Sequence, residues 1–169
     1  MGSDNNENFG FTGRLALSPF LGSEVGASFY NSVYDDAGRN ALSILALDWG
    51  YQWKFIEFLG EYANAQVGRD ASIAASVPGR MEGYYGQLNV QFLQDAVRKD
   101  SAFTGVARFD HANTNLETAG MGLERLTFGL NFRPVQQTVF KLDYQINCED
   151  WAVGRKNNNA WVLGFATYF

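Results

Sequence analysis

The chain has 169 residues, with 13 Lys and Arg against 18 Asp and Glu and a formal net charge of −5; lacking a basic block, it is no partner for a nucleic-acid backbone. Charged residues make up 18% and aromatic residues 15%, with 18 glycines. That composition excludes a disordered chain, and no apolar run nears the roughly 18 residues that a membrane-spanning helix needs.

The start, residues 1–8, carries neither a basic nor an apolar leader region. An exported protein's signal has therefore been removed, or the chain begins inside a longer parent. From there the pattern has period two, which is the signature of strands. It predicts nine of them, over 8–18, 24–33, 41–53, 54–66, 82–94, 101–111, 124–133, 138–147 and 160–169. In the sixth, Phe103, Gly105, Ala107 and Phe109 oppose Thr104, Val106, Arg108 and Asp110. In the seventh, Leu126, Phe128, Leu130 and Phe132 oppose Arg125, Thr127, Asn131 and Arg133. In the eighth, Phe140, Leu142, Tyr144 and Ile146 oppose Lys141, Asp143 and Gln145. Only residues 94–100 suggest a short turn of helix. With Cys148 and His111 as the sole residues of their kinds, neither an internal disulfide nor a Cys/His zinc cage is available.

These strands are long for a soluble sheet, where about 5–6 residues is usual, and they match the roughly 9–11 tilted residues that cross a bilayer. Connections alternate short and long, as in outer-membrane barrels with short periplasmic turns and longer external loops. The expected fold is an all-β, antiparallel up-and-down transmembrane β-barrel. Residues 1–169 form one barrel domain, the fragment of a larger wall. The competing architecture is a soluble sandwich, whose apolar strand faces would form the core.

The phase of the strands assigns the side chains. Arg14, Asp48, Glu57, Glu61, Arg108, Asp110, Arg125, Arg133, Lys141 and Asp143, with Glu24, are predicted to face a water-filled lumen. Arg108, Arg125 and Lys141 fall on three successive strands and suggest a basic ladder. Mutual neutralisation by the inward acids is the other reading. Trp49, Trp53, Tyr84, Phe109, Phe128, Phe132, Tyr144, Trp161 and Phe169 are predicted to face lipid. Most of them sit near strand ends, where rings favour the headgroup level. His111 falls on the same outward phase near the external rim.

The ending WVLGFATYF (161–169) resembles the C-terminal strand of bacterial outer-membrane barrels, which ends in Phe. Thr167 stands where such strands usually carry an aromatic or large apolar residue. Upstream, FTGRLALSP (11–19), GYYGQ (83–87), VARFD (106–110), ERLTFGLNFRP (124–134) and VFKLDYQ (139–145) resemble the phosphate-selective porin O/P family and related Gram-negative porins. The likeness spans nearly the whole chain and corresponds to the C-terminal half of such a porin. It implies a trimer of roughly sixteen-stranded barrels in the outer membrane, conducting anions or other small solutes. It also implies insertion machinery that reads the strand ending in Phe169.

An enzyme is the competing class, in a small closed outer-membrane barrel with a catalytic or structural role. No phosphate loop, zincin motif or nucleophile elbow is present. Glu57 and Glu61, about 13–14 Å apart at strand rise, are too distant for a glycosidase pair. No catalytic residue, metal site or cofactor is assigned. A soluble carrier barrel would invert the pattern, with apolar residues inward.

Overall fold

The computed structural model describes residues 8–71, 77–150 and 158–168. Nine strands follow in chain order: β1 (Phe11–Leu17), β2 (Ser23–Val33), β3 (Ala41–Trp53), β4 (Ile56–Val67), β5 (Arg80–Phe92), β6 (Ala102–Asn113), β7 (Gly122–Val135), β8 (Thr138–Glu149) and β9 (Ala160–Thr167). They make one sheet in sequence order, every neighbouring pair antiparallel. The sheet is open, with β1 and β9 at its two edges and no strand among the described residues paired to close them. No helix occurs among the described residues.

Residues 94–100 correct one expectation, since they form turns and not a helical turn. Leu93, Asp95 and Asp100 all take positive φ, at 49°, 57° and 66°, which a right-handed helix does not allow. The Ser101 hydroxyl collects the amides of Val97 and Arg98, while Asp95 Oδ1 accepts from the Asp100 amide at 2.7 Å. Local side-chain acceptors have outcompeted the helix for these donors.

Register turns the alternation of each strand into two continuous faces. Phe103 lies opposite Phe132, Ala107 opposite Phe128, and Leu130 opposite Leu142. Behind them Thr104 lies opposite Asn131, Arg108 opposite Thr127, and Asn131 opposite Lys141. The apolar face is uncovered: Phe128 is 50% and Leu130 42% exposed. Among the described residues the only buried apolar side chains are Ala102 and Val139. This is a single layer, without the second sheet that a sandwich core requires.

Connections of residues 18–22, 54–55, 93–101 and 136–137 lie at one end of the sheet. The connections that join β2 to β3, β4 to β5, β6 to β7 and β8 to β9 leave the sheet at the other. The expected alternation of short and long fails at one place: 93–101, on the short side, is longer than 34–40 and 114–121 on the other.

Candidate functional site: the polar face

The polar face curls inward. A cavity of about 330 Å³ is lined at once by Gln52 of β3, Glu57 of β4, Asn89 of β5, Thr104 of β6, Asn131 of β7 and Lys141 of β8. Side chains from six neighbouring strands share one hollow only if the sheet is concave on that side. Two further cavities open on the same face. One, of about 490 Å³, is lined by Glu24, Asp48, Gln52, Glu57 and Tyr85 among others. The second, of about 270 Å³, is lined by Arg108, Asp110, Arg125, Lys141 and Asp143 among others.

Acids predominate on β2 to β4 of this face and cations on β6 to β8, with Arg14, Asp110 and Asp143 as exceptions. Arg14 on β1 reaches Asp48 on β3 with two hydrogen bonds, of 2.5 and 2.9 Å, and Glu24 on β2 at 3.2 Å. The fork spans β2 because Gly26, opposite Asp48, has no side chain there. A Cβ on Gly26 would fall 2.5 Å from Asp48 Oδ2 and 2.9 Å from Arg14 Nη2. Glu57 and Glu61 follow on β4 without an ion pair among the described residues.

The cations gather on β6 to β8. Arg108 bonds Asp110 on its own strand through Nε and Nη2, at 2.8 and 2.5 Å, and reaches Gln87 at 3.2 Å. Its guanidinium lies 3.8 Å from the centre of the Tyr85 ring, a favourable cation–π arrangement. Gln87 donates to Asn89, and Asn89 donates to Glu57 at 2.7 Å. A hydrogen-bonded chain thus runs from β6 to β4. Arg125 lies opposite Asp110 in register, yet its Nε donates to Asn147 at 2.8 Å. Arg133 donates to the Gln136 carbonyl at 3.4 Å. Lys141 and Asp143 make no ion pair among the described residues.

Arg108, Arg125 and Lys141 therefore stand on the same face but at different levels. Arg108 is level with Thr127 and Gln145, Arg125 with Asp110 and Asn147, and Lys141 with Asn131 and Thr104. Phase places Gln87 on the lumen side, but Tyr85 and Asn89, which with it bridge the acidic and basic sides, do not stand out in the sequence. Their neutrality hid them, although their phase on β5 matches that of the charged residues.

On the apolar face stand Trp49, Trp53, Tyr84, Phe109, Phe128, Phe132, Tyr144 and Trp161, the rings expected to face lipid; Phe169 lies outside the described residues. Register adds a row that the sequence reading missed. Phe92, Phe103, Phe132, Phe140 and Phe165 stand opposite one another across β5 to β9. Their rings approach at 6.2 Å for Phe92 and Phe103, 4.6 Å for Phe103 and Phe132, and 5.1 Å for Phe140 and Phe165. Toward the end with the longer connections this face turns polar. Asn64 lies opposite Glu82 and Glu82 opposite Asn113. His111 stacks on Tyr84 at 4.9 Å, with Nδ1 3.6 Å from Glu124.

Ion pairs link those longer connections. Arg39 reaches Asp70 at 3.1 Å, and Arg69 reaches Glu117 at 2.6 Å. Within residues 34–40, Asp35 Oδ1 accepts the amides of Asn40 and Arg39, at 2.7 and 2.9 Å. These bonds draw its carboxyl below the usual value, the Asn40 amide most of all. Among the described residues no three His, Cys, Asp or Glu side chains converge as metal ligands. No family model, curated protein or solved structure matches this chain.

Proposed function

We propose that this chain is part of the wall of a Gram-negative outer-membrane porin, through which small hydrophilic solutes or ions diffuse passively. One observation carries the reading: a continuous apolar face with no protein over it, backed in register by a concave face that bears the charges. In water such a face would be a large aggregation surface. In a bilayer it is the lipid contact of a barrel, and the polar face is the water-filled lumen.

The open edges fit a wall that further strands complete, because lipid does not tolerate unpaired backbone groups. As first and ninth strands of an up-and-down sheet, β1 and β9 run the same way. Antiparallel closure therefore takes an odd number of additional strands, and seven would give the sixteen-stranded barrel of the phosphate-selective porin O/P family. The trimer, a bias toward anions such as phosphate, and insertion through the strand ending in Phe169 come to the proposal from the resemblance alone. Lumen charges such as Lys141 and Arg125 would set the bias.

The test is reconstitution of the full-length polypeptide in planar lipid bilayers. The reading expects stepwise, ohmic conductance in potassium chloride. Membranes that stay silent, with the polypeptide remaining in the aqueous fraction, would contradict it.

A further inference from the structure

The cavity of about 330 Å³, which reaches the 54–55 connection at one end of the polar face, differs in kind from its two neighbours. Glu57 of β4 stands at one side, and Arg133 and Lys141 of β7 and β8 at the other. Lys54, at the rim on the Glu57 side, leans over the Trp53 ring at 4.8 Å. Between the two charged sides lie neutral amides, including Gln87, Asn89, Gln91 and Asn131.

The charges facing each other here are only partly engaged. Glu57 accepts one hydrogen bond, from the neutral Asn89. Among the described residues Lys141 makes no ion pair, and Arg133 bonds only a carbonyl, at 3.4 Å. In the same wall the side-chain oxygen of Asn131 is buried without a partner among the described residues. A small rotation of that amide would let an N–H from a ligand satisfy it.

Four strand spacings separate Glu57 from Lys141, on the order of 20 Å along the sheet and less across its curve. A free amino acid, with its two charges a few ångströms apart, cannot bridge that gap. An extended peptide rises roughly 3.3–3.6 Å per residue, so one of about three to five residues can. We infer that this cavity binds short peptides with free termini, the ammonium end at Glu57 and the carboxylate end at Lys141 and Arg133. Amide side chains pair with the peptide main chain, which every sequence shares, so recognition reads length and termini more than side chains.

This inference rests on the pore reading, and one experiment separates the two. The full-length polypeptide is placed in planar bilayers at low ionic strength, where exposed charges are least screened. Block of the ion current is then titrated with tetraglycine, N-acetyl-tetraglycine and tetraglycine amide. Tetraglycine should bind about fivefold more tightly than either capped form, the worth of one half-exposed ion pair. Glu57→Gln should erase the advantage over the acetylated peptide, and Lys141→Gln should shrink the advantage over the amide. The charge-swapped double variant E57K/K141E should keep the preference with the peptide reversed. Equal block by all three peptides through a conducting pore overturns the inference and leaves the pore standing, as does a conducting swap that has lost the preference. Absence of any conductance overturns both.

Discussion

On one side of β7, Phe128 and Leu130 stand half-exposed with no protein above them. On the other side of the same strand Thr127 is buried, and Gly129 leaves room for the Asp143 carboxylate, which a Cβ there would strike. The first set needs only bulk and apolarity, because acyl chains adapt to whatever shape they meet. The second is fixed piece by piece, through forks, amide bridges and a ring under Arg108. The two faces therefore answer to different solvents and should tolerate different substitutions.

The largest test of that contrast moves one charge across the sheet. Leu130→Arg or Leu142→Arg should destabilise the reconstituted polypeptide by roughly 2–4 kcal/mol near the bilayer midplane. Asn131→Arg, next to Leu130 but on the concave face, should leave stability little changed and alter conductance. Denaturant unfolding from lipid vesicles measures the first, and single-channel recording the second. Equal loss of stability at both positions would break the assignment of faces.

A second test stays on the apolar face. Gly60 and Gly86 are opposite each other in register, but a Cβ on Gly60 would run into the Trp49 indole, while one on Gly86 would meet nothing within 4 Å. Gly60→Ala should cost about 1–2 kcal/mol, since the ring must be displaced. Gly86→Ala should be neutral or stabilising by about 0.5 kcal/mol, because glycine is a poor strand residue. The same unfolding assay reads both.

On the polar face, Gly26→Ala should push the Asp48 carboxylate off Arg14. Arg14 stands in water, so the loss of stability should be small. A larger conductance change than stability change is expected, because the freed Arg14 and Asp48 side chains would enter the lumen.

The smallest effect lies at the rim, where both faces meet water. Asp35 holds the Arg39 and Asn40 amides and has a lowered pKa. A depressed carboxyl contributes stability above its unfolded value, about 3.9, and loses it as pH falls through the lower folded value. Hydrogen exchange of the Arg39 and Asn40 amides should therefore stay slow down to about pH 4 and speed up below it.

The strands were legible because alternation holds over nearly their full length. β3 runs Ala41–Trp53 as expected, and β8 extends the expected 138–147 only to Glu149. The two faces followed from phase alone, since one residue of slip would exchange them. What the alternation does not carry is the choice among polar partners. Asp110 and Arg125 stand opposite each other, yet Arg108, two residues along on the same strand, takes Asp110. Long side chains reach across rows, and the outcome depends on sheet curvature. The turn of residues 93–101 was hidden for another reason, because its left-handed Leu93, Asp95 and Asp100 follow from local hydrogen bonds that no periodicity records. The loop links Arg39 to Asp70 and Arg69 to Glu117 join segments far apart in the chain, so no local pattern announces them.

The most direct measurement places a fluorophore, in a Cys148→Ser background, on single cysteines at positions 126, 127, 128, 130, 131 and 132 of the full-length polypeptide in vesicles. Quenchers carried on lipid tails should dim the probes at 126, 128, 130 and 132, and a water-soluble quencher those at 127 and 131. Quenching from lipid at 127 and 131, or no alternation along β7, would contradict the account.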